Sequence, residues 1–267
     1  MLRKPAVAGQ FYPDNPEILK NELNQYLKGG VHERVATGIM VPHAGYVYSG
    51  SIAAEAYKAV EIPQTILILG PNHHGLGGQA TVFAEGAWQT PLGEVPIAED
   101  LASRLLLDCD ILEADGMAHR FEHSIEVQIP FLQMLREDLR ILPISLRHGD
   151  LEDWLQLGRQ IGQSLLRCGE RVLLVASSDM NHFESAAFTE KVDREAIDKM
   201  ENFDAAGLYT LVREKNISMC GVIPAVVMLE AAAVLGATSC SLLRYDHSGK
   251  VNGDMQSVVG YASLVVE

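Results

Sequence analysis

Histidines follow two of the most apolar segments of the sequence, directly after each segment ends. His43 lies two residues beyond the apolar run 38–41. His73 and His74 lie just beyond a second run, 65–69. Neutral imidazole is the commonest metal ligand in proteins and titrates near neutral pH, so both positions indicate a metal site or acid–base chemistry. A histidine after a strand is also often a turn or core residue, and this alternative stays open for each.

A third polar group follows the apolar run 172–176. Asp179 and His182 lie three residues apart beyond this run. A carboxylate at that spacing can orient an imidazole that acts as an acid or a base. The alternative interpretation is a helix cap, since aspartate is often the residue that precedes a helix. Both interpretations stay open at this point.

Cys220 adds a sulfur donor to these candidates. A deprotonated cysteine is a strong, soft ligand, and together with His43 and His73 it would hold Zn, Fe or Cu. His73 is preferred over its neighbour His74, because adjacent loop side chains rarely point the same way and one of the two then orients or supports the other. Taken alone, however, a free cysteine is usually a small buried hydrophobic residue.

Glu122, His123 and Glu126 form a further polar group, outside the apolar runs. These side chains can support metal-binding or proton-transferring residues through hydrogen bonds, or they can form the solvated start of a helix. The sequence favours neither alternative. His123 is placed with Asp179 and His182 in the predicted catalytic group.

Strand-like and helix-like segments alternate along the chain and would position these residues. Strands are predicted at 38–41, 65–69, 139–146, 172–176, 241–245 and 258–266. Helices are predicted at 16–27 with a stop at Gly29 and Gly30, and at 49–60, 98–108, 125–135 with Ser124 as cap, 154–167, 189–199, 205–214 and from Cys220 to about 235; 80–96 is predicted to be turn-rich. This alternation predicts a layered α/β/α single domain over 1–267, with a central, largely parallel or mixed sheet and antiparallel additions at the C-terminus. The strand ends of such a sheet form one crevice, so the candidate residues can converge there.

The composition excludes several classes of protein. Hydrophobic residues make up 48% and charged residues 21% of the chain, which is typical of a folded globular protein. The formal net charge of −14 would repel nucleic acid and anionic membranes. No apolar run approaches the ~20 residues of a membrane-spanning helix, and no signal-peptide core follows Met1. We therefore expect a cytoplasmic protein whose four cysteines are free thiols.

Several short motifs, spread in order over nearly the whole chain, resemble the Memo family, whose prokaryotic members are also called AmmeMemoRadiSam system protein B. They are Ala8-Gly9-Gln10-Phe11-Tyr12-Pro13, Val41-Pro42-His43-Ala44-Gly45-Tyr46, Leu69-Gly70-Pro71-Asn72-His73-His74, Glu122-His123-Ser124-Ile125-Glu126, Ser177-Ser178-Asp179, His182 and Cys220-Gly221. The resemblance implies a fold similar to that of the class III extradiol ring-cleaving dioxygenases.

The resemblance also implies a set of metal ligands. The dioxygenases hold non-haem Fe(II) with two histidines and a glutamate, and these positions fall here on His43, His73 and Cys220. His182 falls at the dioxygenase acid–base position. Because thiolate is softer and more easily oxidised than carboxylate, Cys220 suits Fe, Cu or Zn and departs from ordinary dioxygenase chemistry. Fe(II) is the first expectation for the metal, and Cu or Zn are the alternatives.

Two classes of function follow from the resemblance. The first is a non-haem, metal-dependent, dioxygenase-like oxidoreductase that acts on a small, for example phenolic, substrate. The second is a non-enzymatic role for the same pocket, as a binding module of the kind described for animal Memo proteins or as a metal- or redox-handling protein for a partner. The family's system name implies an AMMECR1-type protein and a radical SAM protein as partners, and a homodimer is also expected.

Overall fold

A computed structural model describes residues 1–29 and 34–267 of the chain. Within these residues the chain forms a central nine-stranded mixed sheet with helices on both sides, and a small three-stranded sheet beside it. The buried apolar side chains form one continuous core. The predicted layered α/β fold is therefore confirmed, while the extent of the domain, 1–267, stays a prediction.

The strands have the following bounds in chain order. They are β1 (Leu2–Arg3), β2 (Gly38–Val41), β3 (Thr65–Pro71), β4 (Ala80–Val82), β5 (Ala87–Thr90), β6 (Gly93–Pro96), β7 (Leu112–Ala114), β8 (Arg140–Leu146), β9 (Val172–Ser177), β10 (His182–Glu184), β11 (Cys240–His247) and β12 (Val258–Val266). The helices are α1 (Pro16–Tyr26), α2 (Tyr46–Ala59), α3 (Glu99–Asp108), α4 (Ile129–Leu135), α5 (Leu151–Leu166), α6 (Ala186–Glu201), α7 (Ala205–Glu214), α8 (Val222–Val234) and α9 (Gly249–Asn252). The predicted stop at Gly30 lies outside the described residues.

Four parallel strands form the middle of the large sheet, in the order β2, β9, β3 and β8. Every residue of β2, β3 and β9 is buried. A strand that is covered on both faces needs apolar side chains at every position, which explains the unbroken apolar runs in the sequence. Val41 pairs with Ser177, and Leu69 pairs with Ala176. The loops that follow these strands therefore leave the same edge of the sheet side by side.

Antiparallel strands complete the sheet on both sides. β12 pairs with β2 and also with β10 and β11, and β4 pairs with β8. The predicted antiparallel additions at the C-terminus are confirmed. The prediction of a turn-rich segment at 80–96 missed three strands, β4, β5 and β6, because segments of three or four residues are too short to show a clear periodic pattern.

The segment before α4 differs from its predicted helix. A 3-10 turn occupies Glu126–Gln128, and the α-helix begins only at Ile129. Pro130 explains this difference, since it has no N–H to donate to the Glu126 carbonyl. Ser124 does not cap the helix, because its hydroxyl donates to the carbonyl of Pro71 at 3.2 Å. The polar group 122–126 is thus held against the end of β3.

The helices of the described residues include none that is long and apolar enough to span a membrane.

Two glycines allow α5 to lie very close to α8. A Cβ atom on Gly158 would lie 2.5 Å from Cβ of Glu230 and 2.8 Å from the carbonyl oxygen of Val227. A Cβ atom on Gly162 would lie 2.7 Å from the carbonyl oxygen of Ala231. Backbone atoms of a packed helix cannot move aside cheaply, so this face of α5 requires glycine.

We expect Gly158→Ala to lower the free energy of unfolding by about 1–3 kcal/mol, because overpacking at the helix contact outweighs the better helix propensity of alanine. Urea denaturation followed by circular dichroism measures this change. Gln163→Ala, at an exposed position of the same helix, is the control and should change stability by less than about 0.5 kcal/mol. If Gly158→Ala were as stable as the unmodified protein, the close contact between the helices would be wrong.

Candidate functional site

Three histidines meet at the carboxyl edge of the sheet. His43 follows β2, His73 follows β3, and His123 precedes the turn that leads into α4. One possible ligand nitrogen from each lies within 4.8 Å of the other two. The ring of His43 is nearly perpendicular to both neighbours, with centroids 5.3 and 5.5 Å away, whereas His73 and His123 stack with centroids 4.6 Å apart. This group has the donor type and the spacing of a metal site.

Glu122 fixes both the position and the proton of His73. Its buried carboxylate accepts hydrogen bonds from the backbone N–H of His73 at 2.7 Å, from Nδ1 of His73 at 2.9 Å and from the N–H of Ser124 at 2.9 Å. Because an ionised carboxylate can only accept, Nδ1 carries the proton and Nε2 presents its lone pair. Carboxylate support of this kind is typical of histidines that bind metals.

A hydroxyl group fixes His43 in the same tautomer. Ser177 Oγ donates to the carbonyl of Ser124 at 2.7 Å, so it acts as an acceptor toward its other neighbours. Gln128 Nε2 donates to this oxygen at 3.0 Å, and Nδ1 of His43 lies 2.9 Å from it. Nδ1 of His43 is therefore the protonated nitrogen. Nε2 of His43, like that of His73, is left with a free lone pair.

The thiol of Cys220 lies against this free nitrogen. Its Sγ is 3.2 Å from Nε2 of His43 and accepts a hydrogen bond from the backbone N–H of Asp179 at 3.3 Å. Asp179 in turn accepts hydrogen bonds through Oδ1 from the N–H groups of His43 and Ala44, at 2.7 and 3.3 Å. Asp179 thus connects the loop after β2 to the loop that carries Cys220.

His182 lies at the edge of this group. Its Nδ1 is 2.9 Å from the carbonyl oxygen of Ser218, and because a carbonyl can only accept, Nδ1 carries the proton and Nε2 can accept one. None of the described hydrogen bonds or ion pairs joins Asp179 to His182, so orientation of His182 by Asp179 stays a prediction. The N–H of Met180 donates to the carbonyl of Gly260, and the chain then continues with His182 onto β10.

Burial sets most of the protonation states in the site. Burial and the neighbouring histidines hold the pKa of His43 well below its ordinary value, and burial lowers the pKa of His123 to about 4. Burial also opposes protonation of His73, but the hydrogen bond to Glu122 and the negative charges of Glu122 and Asp179 together outweigh it and raise the pKa of His73. Burial raises the pKa of Asp179 to about 7. Near neutral pH, His43 and His123 are therefore neutral and Asp179 is partly protonated.

A second buried carboxylate, Glu126, holds the N-terminal segment over the site. Glu126 pairs with Arg3 and accepts hydrogen bonds from the N–H groups of Ala6 and Val7 at 2.8 and 3.0 Å. The hydroxyl of Tyr12 also donates to it, at 2.6 Å. These contacts place the ring of Phe11 beside that of His123, with the two ring centroids 4.8 Å apart. The alternative of a solvated helix start is therefore excluded for this acidic group.

A family model described as Memo-like protein matches residues 3–265. The chain belongs to the Memo family. The resemblance recognised from the sequence motifs is thus confirmed, and the histidine group belongs to a Memo-family protein.

Relatives at about the same level of identity come from distant organisms. A MEMO1 family protein of Methanosarcina barkeri is 43% identical, and the match covers all of both chains. A MEMO1 family protein of Aquifex aeolicus is 43% identical over 99% of this chain and 98% of its own. A third, from Methanocaldococcus jannaschii, is 40% identical over 100% of this chain and 99% of its own.

Among solved structures, an uncharacterized protein from Escherichia coli K12 has a similar fold. The two structures superpose with a TM-score of 0.57 at 15% sequence identity, over 86% of this chain and 99% of the other. At this identity the likeness concerns the fold alone. It agrees with the mixed α/β architecture of this Memo-family chain.

The structure brings most of the predicted site residues of this Memo-family protein together. His43, His73 and His123 form the compact group, and Cys220 contacts His43. His74 is not part of this group, and the centroid of its ring lies 6.1 Å from that of the exposed Phe121. The roles of these residues stay predictions. Sequence reasoning missed Gln128 and the orienting role of Ser177, although Ser177 stands in one of the family motifs.

We expect Glu122→Gln to destabilise the metal-free protein by about 1–3 kcal/mol at neutral pH, because an amide offers one acceptor oxygen to three N–H donors. The hydrogen bond and charge of His73 hold the pKa of Glu122 far below its ordinary value of 4.5, although burial opposes this shift. A lowered folded-state pKa stabilises the fold above the unfolded pKa and loses that contribution as pH falls. The stability difference from the unmodified protein should therefore be largest above about pH 5 and shrink in more acidic solution.

Chemical denaturation over a pH series, in the presence of a chelator, measures this difference. Glu137→Gln, at an exposed position, is the matched control and should leave the profile unchanged. A stability difference that grew as the pH fell would contradict the assignment of Glu122 as an ionised, buried acceptor.

Proposed function

We propose that this Memo-family protein is a non-haem, metal-dependent oxidoreductase that acts on a small, for example phenolic, molecule. The metal is held by His43, His73 and Cys220. The observation that carries the proposal is the convergence of histidines at the sheet edge, two of them held by neighbours with Nε2 free. Fe(II) is the first choice of metal, with Cu and Zn as alternatives.

Two of the proposed ligands, His43 and Cys220, are close enough to share a metal ion, whereas the group whose donor atoms all lie within 4.8 Å of one another is His43, His73 and His123 and does not include Cys220. Nε2 of His43 and Sγ of Cys220 are 3.2 Å apart, which is a reasonable separation for two ligands that share one ion at bond lengths of about 2.0–2.3 Å. Without a cation, burial holds the pKa of the Cys220 thiol well above its ordinary value, and Asp179 adds to this shift. A thiol in such surroundings becomes a thiolate readily only if a cation compensates its charge.

Cys220 is a better third ligand than His123, although His123 belongs to the compact histidine group. An imidazole binds a metal through a lone pair that lies in the plane of its ring. The rings of His73 and His123 are stacked at an interplanar angle of 18°, so their lone pairs do not point at a common ion unless one ring turns. His123 is therefore assigned to the substrate side of the site, together with His182 and Asp179.

When bound, a redox metal would supply Lewis acidity and an electron path. The protein's own groups have separate tasks. Nε2 of His182 accepts a proton from the substrate, since Nδ1 is already bound to the carbonyl of Ser218. Asp179, whose pKa is about 7, holds a proton near the thiol of Cys220. His123 is neutral and stacks beside His73, so it offers a hydrogen-bond acceptor without adding charge.

The partner and location assignments are also proposals. The system name of the prokaryotic family members is the basis for proposing an AMMECR1-type protein and a radical SAM protein as partners. A homodimer is the proposed assembly, and the cytoplasm is the proposed location. If the pocket held no metal, a non-enzymatic binding module would become the better description of the site.

Metal content gives the first test. We expect near-stoichiometric iron or copper in protein purified anaerobically without an affinity tag, and a loss of most of it in His43→Ala and in Cys220→Ser, because each variant removes one ligand. His123→Ala should keep its metal. His74→Ala, which removes an adjacent exposed imidazole, is the matched control. Elemental mass spectrometry measures the metal content of the unmodified protein and of the four variants.

Two outcomes would contradict this proposal. Absence of metal from the native protein, together with no binding of Fe(II), Cu(I) or Zn(II) in titrations, would exclude a metal centre. Loss of metal in His123→Ala with retention in Cys220→Ser would replace the proposed ligand set by the three histidines.

A second test separates metal binding from proton transfer. We expect His182→Gln to retain its metal but to consume O₂ about 10²–10⁴ times more slowly with whichever member of a catechol panel the unmodified protein oxidises, because the proton acceptor is lost. Oxygen-electrode assays measure this rate, and His74→Ala is again the control. Equal rates for His182→Gln and the unmodified protein would remove His182 from the catalytic group.

A further inference from the structure

A cavity lies beside the candidate metal centre, and none of the three histidines of the site lines it. Its volume is about 480 Å³, within the range of small-molecule sites. Four segments line it: the end of α7, the loop from 216 to 220, the first residues of α8, and the loop after β8. Cys220 is part of the wall, and its Sγ lies 3.2 Å from Nε2 of His43. The cavity therefore reaches the histidine group through Cys220, which contacts His43.

The wall of this cavity divides into an apolar part and a polar part. The apolar part is buried and consists of Val212, Ile217, Met219, Val222 and Ile223. The polar part includes the exposed side chains of Arg213 and His148. No aspartate or glutamate is among the described residues that line it.

Arg213 is one of two arginines of the described chain whose guanidinium has neither an ion-pair partner nor a hydrogen bond; the other, Arg120, lies over the ring of Phe121. The remaining arginines all have partners. Most of them pair with a carboxylate, as Arg140 does with Asp100 at 3.0 Å and Arg171 does with Glu61. Arg147 instead donates to backbone carbonyls. Within 1–29 and 34–267, the guanidinium of Arg213 has neither an ion-pair partner nor a side-chain hydrogen bond. Its donors are thus available to a ligand in the cavity.

The cavity is held by specific contacts. The hydroxyl of Tyr209 donates to the carbonyl of Gly149 at 2.9 Å and ties α7 to the loop after β8. The N–H of Ile217 donates to the carbonyl of Val212 at 3.0 Å, which closes the turn after α7. Asn216 occupies the left-handed region in this turn, with φ of 51°, which asparagine tolerates better than most residues. The loop that presents Cys220 is therefore anchored to the helix that presents Arg213.

We propose that this cavity binds the oxyanion group of the substrate, so that the substrate is a small apolar or aromatic molecule with one carboxylate or phosphate. This inference rests on the proposed function, because only an enzyme would have the bound molecule as its substrate. Arg213 donates to the oxyanion in the planar geometry that guanidinium groups offer, and His148 adds a further donor. The apolar body of the ligand packs on the buried wall, and its other end faces Cys220. Arg213 is thus a specificity-determining residue.

Binding of simple probes to metal-free protein tests this inference without relying on catalysis. Titrations followed by NMR compare benzoate, phenyl phosphate and benzyl alcohol, which share a ring and differ in the charged group. We expect either anion to bind at least about tenfold more tightly than the alcohol, and the tighter of the two identifies the oxyanion. Arg213→Gln should remove this preference, whereas Arg104→Gln, which removes the same charge from an exposed site outside the cavity, should keep it.

Metal content of the same variants separates this inference from the proposed function. Arg213→Gln should hold as much metal as the unmodified protein, because Arg213 is not a ligand. Equal affinity for benzoate and benzyl alcohol, or equal anion binding by Arg213→Gln and the unmodified protein, would overturn the oxyanion site even if the metal centre were correct. Selective anion binding that depends on Arg213 in a protein that binds no metal would support the anion site and refute the metal proposal alone.

Discussion

A buried carboxylate is stable only where hydrogen-bond donors surround it, and Glu122 and Glu126 each collect several. Glu122 binds the backbone and ring of His73, and Glu126 binds the N-terminal segment through its backbone and Arg3. Both carboxylates belong to the short segment that leads into α4. This one stretch of chain therefore holds His73 through Glu122 and the N-terminal segment through Glu126. If Glu122 or Glu126 lost its hydrogen-bond donors, its carboxylate would remain in the core as an uncompensated charge. Each carboxylate and the segment that supplies its donors therefore depend on each other.

The sequence predicted the parts of the fold that depend on long, uniform patterns. β3 and β9 are buried on both faces, so they had to be apolar throughout and were found with nearly correct bounds. The strands β4 to β6 were missed, since segments this short have no periodicity that separates them from a loop. The helix that ends at Leu135 begins later than its apolar pattern predicts, because Pro130 has no N–H for the Glu126 carbonyl and the pattern of apolar residues does not show this.

The candidate site was predictable at the level of residue types and strand ends. His43, His73 and Cys220 were identified because ligand-type side chains follow buried strands or belong to family motifs. The groups that orient His43 were not, since Ser177 contacts its ring from 134 positions away along the chain and Gln128 donates to that Ser177 hydroxyl and, from 86 positions away, to the carbonyl of Pro42. Such long-range contacts depend on how the strands pair, which residue order alone does not reveal.

Strand β2 lies in the middle of the sheet, and both of its partners come from distant parts of the chain. Met40 pairs with Leu264, 224 residues later (264 − 40), and with Ala176, 136 residues later (176 − 40). Closing loops of this length is slow, because the entropy is lost before the contacts that compensate it can form. A nascent chain therefore carries β2 with both edges unpaired and its apolar side chains exposed, a state that favours aggregation. The strand that delivers His43 is thus the segment that would benefit most from a chaperone during synthesis.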